Sequence, residues 1–349
     1  MLPNSFHELR EPRPFTLELD APANIAWVKY WGKLKGQLPT NPSLSMTLQK
    51  STTHMKAIVV PASELAVSVL FEGEERPSFA RKIHGVLAKL SADLPVLAKT
   101  QWTLITENTF PHSAGIASSA SSMAALGAIL ARFLAELSGE VATLEQASFL
   151  ARLASGSACR SLYGGFVSWG ETPALLGSSD LHATALKVHE NFQHARDAIL
   201  IVSKEEKEIS SSQGHAQMGL HPYAEARYAD ARAQHTRLLD VLRSGDWTAA
   251  GEILEAEALT LHAMMMTSRP GFMLLRPSSL DIIRLVRLFR QDTQVPVYFT
   301  IDAGPNIHLI YPDAAAPKVE AFVRHELLPH TVEGKGVIWD EVSHQDLVL

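Results

Sequence analysis

The stretch from Phe110 to Leu126, FPHSAGIASSASSMAAL, joins small residues and hydroxyls to a run of apolar helix formers. Small residues let a backbone approach a ligand closely, and hydroxyls add donors and metal contacts. A helix beginning near Ser119 would aim free N–H groups and the positive end of its dipole at an anion. The pattern suits a phosphate cradle. It also suits a Ser/Ala-rich loop capping a buried helix, because it is not the G-x-x-x-x-G-K-[ST] nucleotide loop. Arg160, in SGSACRSLYGG (155–165), is a natural bidentate clamp for a carboxylate or phosphate, or else half of a structural ion pair. Residues 21–33, APANIAWVKYWGK, interleave Trp27, Tyr30 and Trp31 with Lys29 and Lys33. Such a segment can hold a phosphorylated ligand, or run as a strand whose lysines snorkel at a core edge. His182, His189 and His194 show no metal-ligand spacing and read as surface or packing residues.

These residues need elements to position them. Phe15–Leu19, Ser43–Leu48, Thr53–Val60, Leu65–Phe71 and Thr100–Glu107 read as strands. Phe79–Leu90 carries Ile83, Val86, Leu87 and Leu90 at helical spacing, Ser119–Leu137 forms a long helix closed by Ser138-Gly139, and Leu144–Ala154 forms another. Gly36–Pro42 is a turn. A polar stretch at 180–195 marks a domain boundary, dividing 1–190 from 191–349. Beyond it the expected order is strand Asp197–Ser203, a polar loop to Gly214, and helices Pro222–Arg243, Thr248–Thr267 and Ser278–Arg290. Strands Val295–Ile301 and Asn306–Tyr311, helix Pro317–Leu328 and strand Val337–Trp339 complete an α+β sandwich. Met264–Met266 reads as helix packing.

Length and composition narrow the class. A chain of 349 residues suggests about two domains, and 46% hydrophobic residues is ample for their cores. A net charge of −6 argues against general nucleic-acid binding but leaves small anions open. Cys159 is the only cysteine, which rules out an intramolecular disulfide and fits a reducing compartment. Glu8, Arg10, Glu11 and Arg13 interrupt the first residues, unlike a signal peptide, and the apolar run Met123–Ala131 is short for a membrane span. The expectation is a soluble cytoplasmic protein.

Four separated motifs coincide in order over about 280 of 349 residues: ANIAWVKYWGK (23–33), PHSAGIASSASS (111–122), SGSACRSLYGGFVSWG (155–170) and TIDAGPN (300–306). The second resembles the phosphate loop of the GHMP small-molecule kinase superfamily. The other three resemble the diphosphomevalonate decarboxylase family, as do Ile209–Gly214 and Leu261-His-Ala263. The resemblance implies an N-terminal ribosomal-protein-S5-like domain, a C-terminal ferredoxin-like domain, an active site in the cleft between them, and a homodimer. It implies ATP and Mg²⁺ as cosubstrate and metal. The implied reaction phosphorylates the 3-hydroxyl of mevalonate 5-diphosphate and yields isopentenyl diphosphate, ADP, phosphate and CO₂.

By the same resemblance, Ala114, Gly115, Ile116 and Ala117 would wrap the ATP phosphates with backbone N–H groups. Ser118 and Ser119 would give hydroxyls to phosphate, Ser119 also to Mg²⁺, and Asn108 would lie on the nucleotide side. Asp302 would orient or deprotonate the 3-hydroxyl; its other reading is a turn cap before Gly-Pro. Arg160 would grip the substrate carboxylate beside Asp302, and Lys29 would stabilise charge on the transferred phosphoryl group. Tyr30, Lys33, Ser155 and Ser157 match the family's ligands for the 5-diphosphate, and Ser211 is the choice within Ser210–Ser212 for a serine closing over substrate. Cys159 reads as a small buried residue, not a nucleophile. The chain departs from the family in a shorter turn after Lys33, Gln37 near a common asparagine, Ser121-Ser122 for a smaller pair, and His215 for a common methionine. Sister activities, on mevalonate 5-phosphate or as a mevalonate 3-kinase, are the alternatives, followed by a non-catalytic GHMP-fold binding protein.

Overall fold

The computed structural model describes residues 9–111, 118–205 and 209–349. Two long strands, β1 (Phe15–Val28) and β2 (Ser43–Pro61), pair antiparallel, and both change character part-way. From Phe15 to Asp20, β1 alternates inward and outward, as a strand with one wet face must. From Ala23 to Val28 every residue is buried, so this part is covered on both faces. The expected strand thus continues through the aromatic segment instead of stopping at Leu19.

Ser43–Leu48 and Thr53–Val60, expected as two strands, are one. At the break the ladder to β1 shifts register between Pro22 and Asn24. The Asp340 carboxylate accepts the N–H groups of Gln49, Lys50 and Ser51 there, at 3.0, 2.9 and 2.8 Å. A distant side chain therefore satisfies what the ladder drops.

Beside these strands lie β3 (Ala66–Phe71), β4 (Glu74–Glu75), helix α1 (Pro77–Leu90), β5 (Thr100–Asn108), α2 (Ser118–Ser138), α3 (Leu144–Ala154), β6 (Phe166–Trp169) and β7 (Ala183–Leu186). Among the described residues they form a seven-stranded sheet in the order β4-β3-β5-β2-β6-β7, with β1 on β2. The α2 helix has the length and hydropathy of a membrane span, yet 83% of its apolar window is buried in this core. Thr143 and Gln146 close a capping box that starts α3.

The second half holds α4 (Glu190–Gln193), β8 (Ala195–Leu200), α5 (Ser211–Gln217), α6 (Ala224–Ser244), α7 (Trp247–Thr267), α8 (Pro277–Thr293), β9 (Tyr298–Thr300), β10 (Ile307–Pro312), α9 (Ala316–Phe322) and β11 (Val337–Glu341). Its sheet runs β11-β8-β10-β9, all antiparallel. One face packs Ala198, Leu200, Leu309 and Val319 with α8; the other places Ile199 and Ile310 with Ile25, Trp27, Leu44 and Met46. The two halves therefore share a core.

The polar stretch at 180–195 proves to contain β7 and α4, so it is not a bare linker. The β8 strand ends at Leu200, not Ser203, because the amides of Val202 and Ser203 donate to Asn306 Oδ1. After Phe322 the expected last helix continues only as π and 3₁₀ turns to His330. The last residues return to the first half: Leu347 is buried in its core and donates its N–H to the Leu162 carbonyl at 3.0 Å.

Candidate active site

The shared core brings the end of β1 against the residues that follow β9. Thr300 Oγ1 donates to the Ala26 carbonyl at 3.3 Å, and two residues later Asp302 meets Lys29. Lys29 Nζ donates to Asp302 Oδ1 at 2.8 Å and to the Ala26 carbonyl at 2.7 Å. The Lys29 side chain is 2% exposed and that of Asp302 24%, the latter because it faces a cavity. Burial pushes the Asp302 carboxyl up, but Lys29, with smaller help from His308 and Arg160, leaves it below the ordinary carboxylate value. Burial also draws Lys29 below the ordinary lysine value, although Asp302 and Glu257 oppose it. The Asp302 backbone is held too: its carbonyl accepts from Gly304 N–H at 2.7 Å and meets His262 Nε2 at 3.2 Å.

Arg160 lies one wall away, buried and, among the described residues, without a bonded acid. Its guanidinium donates to Ser43 Oγ, to Ser45 Oγ at 2.9 Å and to Asn24 Oδ1 at 3.2 Å. Three neutral groups orient it, and no acid among the described residues pairs with it directly, which favours the clamp reading over the structural ion pair. Burial lowers its pKa, against the pull of Cys159 and Asp302. Cys159 itself is buried, and burial raises its thiol to about 12, which leaves no thiolate nucleophile.

One cavity of about 180 Å³ joins Lys29, Tyr30, Lys33, Ser119, Ser155, Ser157, Arg160 and Asp302. Gly156 lines it as well, and a Cβ there would fall 2.7 Å from Trp169 and 3.0 Å from Tyr30, so this wall needs glycine. The Tyr30 hydroxyl is buried with no partner among the described residues. Ser118 begins α2 but is not in the cavity wall. Asn108 turns to the sheet: its Oδ1 accepts from Thr53 Oγ1 at 2.7 Å, and its Nδ2 is unpartnered among the described residues. Ala114, Gly115, Ile116 and Ala117 lie outside the described residues. Ser211 opens α5, whose capping box is made by Ser210 and Gln213; only its backbone is described.

Three further residues line the cavity: Lys82, which carried no sequence signal, and His215 and Gln37, which the sequence marked only as departures from the family. Lys82 comes from the exposed side of α1, where it looks like any solvated helix lysine. The residue is exposed, yet its side chain lines the cleft, and desolvation and Lys33 both lower its pKa. His215 sits between Tyr30 and Trp31, at ring distances of 4.5 and 4.6 Å, and Nδ1 accepts from Gly32 N–H at 3.0 Å. Burial and Lys33 lower its pKa to about 3, so the ring is neutral. Gln37 completes the set.

The two halves match two family models. Residues 21–185 match the diphosphomevalonate decarboxylase-like N-terminal domain, and residues 198–345 match the mevalonate 5-diphosphate decarboxylase C-terminal domain. The chain is 32% identical over 324 residues to the diphosphomevalonate decarboxylase of Candida albicans, covering 87% of this chain and 86% of that protein. It belongs to the diphosphomevalonate decarboxylase family. The Bos taurus diphosphomevalonate decarboxylase is 34% identical, with 89% of this chain and 80% of that protein covered. The solved mevalonate diphosphate decarboxylase of Legionella pneumophila superposes with a TM-score of 0.80 at 27% identity, covering 93% of this chain and 100% of that one. A structure of MDDEF in complex with MVAPP, AMPPCP and magnesium gives a TM-score of 0.82 at 26% identity over 96% and 98% of the two chains. The α+β, two-domain GHMP-kinase architecture expected from the sequence is therefore the observed one.

Proposed function

We propose that this chain decarboxylates mevalonate 5-diphosphate with ATP, giving isopentenyl diphosphate, ADP, phosphate and CO₂. The observation that carries the reading is one cavity in which Asp302 is paired with Lys29, Arg160 has no bonded acid among the described residues, and Lys33 and Lys82 lie beyond them. Family membership and the MVAPP and AMPPCP complex of a relative support it.

A tertiary alcohol is a poor leaving group, so its oxygen must first be phosphorylated. Asp302 would align the 3-hydroxyl and accept its proton as the bond to phosphorus forms. A carboxylate below its ordinary pKa is a weak base, so its value comes from alignment and from a charge kept ready by Lys29. Lys29, beside it, would also stabilise charge on the phosphoryl group in transfer. Arg160, fixed by Ser43, Ser45 and Asn24, would hold the substrate carboxylate until CO₂ leaves and the phosphate departs. Tyr30, Lys33, Ser155 and Ser157 would bind the 5-diphosphate, joined by Lys82.

The donor set fits Mg²⁺ and ATP: a serine hydroxyl at Ser119 and a carboxylate at Asp302 share a wall with three lysines. Mg²⁺, when bound, would neutralise phosphate charge for transfer. Ser119 would hold it, Ser118 and the 114–117 loop would take the phosphates, Asn108 would face the nucleotide, and Ser211 would close over substrate. The reading includes a cytoplasmic homodimer of two-domain subunits, 1–190 and 191–349, without nucleic-acid or membrane partners. The passage from one sheet to the other between β7 and β8 supports that division. Light scattering tests the dimer.

The reaction is tested by measuring CO₂ and ADP from purified protein with Mg²⁺, ATP and mevalonate 5-diphosphate, beside the monophosphate and mevalonate. Equal CO₂ and ADP with the diphosphate alone is expected. ADP without CO₂ would make the protein a 3-kinase, and turnover of the monophosphate would move it to the sister decarboxylase. No turnover of any of the three would leave a binding protein.

A further inference from the structure

Glu257 and Arg227 form a buried ion pair that the reaction chemistry does not use. Arg227 Nη1 and Nη2 donate to Glu257 Oε1 and Oε2 at 2.8 and 2.7 Å, and both side chains are 1% exposed. An ion pair this deep is costly to desolvate, and an apolar pair of similar volume is often no less stable. Its position is more informative than its energy. The β1–β2 ladder has its last pair at Val28 and Leu44, so the next amide, that of Lys29, has no strand partner. Glu257 Oε2 accepts that amide at 2.8 Å, while Asn41 Nδ2 donates to the Lys29 carbonyl at 3.1 Å. The Lys29 main chain is thus clamped on both sides by side chains, and one clamp comes from α7 in the other half of the molecule.

Three charged groups act on the Lys29 ammonium. Asp302 touches it, Glu257 from α7 favours its protonated form, and Arg160 opposes it. Arg227 lies behind Glu257 and fixes both carboxylate oxygens, so the oxygen that takes the Lys29 amide cannot swing away.

We infer that Glu257, locked by Arg227, is a positioning residue that sets the main chain of Lys29 so that its ammonium meets Asp302. The inference rests on the proposed role of Lys29 in the reaction.

The test removes the ion pair whole, so that no lone charge stays buried. In Glu257→Leu with Arg227→Met, the Lys29 amide loses its acceptor. In Glu257→Gln with Arg227→Met, an amide oxygen remains for it. A misplacement near 1 Å costs about a hundredfold, so kcat of the Leu/Met variant should fall about that much with KM for both substrates within about threefold. The Gln/Met variant should keep kcat within about fivefold of the parent, since the amide hydrogen bond survives. In both, the alkaline limb of kcat should move to lower pH, because an anion near Lys29 has gone. A Leu/Met variant with kcat within threefold of the parent would overturn the positioning role. If that variant does not fold, Glu257→Met with Arg227→Leu, another apolar pair without an acceptor, is judged by the same threefold bound. Lys29→Met separates the two levels. If Lys29→Met keeps its turnover, the catalytic role of Lys29 fails; if it is inactive while the Leu/Met variant is normal, only Glu257 is misassigned.

Discussion

At the buried end of the cleft, Lys29 and Asp302 neutralise each other at 2.8 Å and three neutral side chains aim Arg160. At the open end, Lys33 and Lys82 have no ion-pair partner among the described residues, and each is drawn below the ordinary lysine value by desolvation and then by a neighbouring lysine. The first arrangement is complete before any ligand arrives, so its geometry is set at folding and suits a step that depends on alignment. The second is a set of repelling cations that gains most when a polyanion enters, and suits binding. The ends also differ in origin. Asp302 comes from the second half and meets β1 through a shared core, whereas Lys33, Lys82, Ser155 and Ser157 all come from the first half.

If this contrast is right, damage at the buried end falls on kcat and damage at the open end falls on KM. The largest effect is expected for Asp302→Asn, which keeps the shape and can still accept from Lys29 but cannot take a proton. Its kcat should fall about a thousandfold while calorimetry still shows both substrates binding. Near-parent CO₂ release would remove Asp302 from the chemistry and erase the contrast.

Next is Arg160→Lys. A buried ammonium cannot reproduce three directed N–H contacts and a grip on carboxylate, so kcat/KM for mevalonate 5-diphosphate should drop about a hundredfold. Unchanged turnover would mean that Arg160 holds the wall together and does not touch substrate.

A smaller change is expected at the open end. Lys82→Ala should raise KM for the diphosphate substrate about tenfold or somewhat more, with kcat little altered, since a charge-assisted contact contributes about 1.5–3 kcal/mol. Equal losses in kcat and kcat/KM would instead place Lys82 in the transition state and blur the two ends.

The smallest effect concerns stability. His215 stays neutral in the fold, with its pKa lowered from 6.5 to about 3. Between those values the unfolded chain binds a proton that the folded chain refuses, so stability falls as pH drops through that window. His215→Gln, neutral throughout, should show a shallower fall in Tm between pH 7 and pH 5. An unchanged slope would show that His235, lowered to about 4 by burial, or other groups control acid sensitivity.

Local pattern made much of this architecture readable. The spacing in Phe79–Leu90 is a sequence-adjacent signal, and that helix and the one expected over Leu144–Ala154 both formed within two residues of expectation. The segment Ser155–Trp169 announced a possible clamp in Arg160, whereas the tight wall at Gly156 is seen only in the fold. Asp302 and Lys29, more than 270 residues apart, drew attention through family resemblance, and no local rule placed them at hydrogen-bond distance.

What the sequence determined by itself was most of the longer elements, because periodicity, caps and turn residues act over a few residues, and the family to which its motifs belong. Tertiary structure alone decided that β2 runs unbroken past Lys50, since the atoms replacing its ladder belong to Asp340. It alone turned Lys82 from a surface lysine into a cleft cation, and gave Arg160, among the described residues, three neutral partners in place of the acid that an isolated reading allowed it. Only folding decides these partnerships, because the energy of a charge depends on which groups surround it, and those groups come from distant parts of the chain.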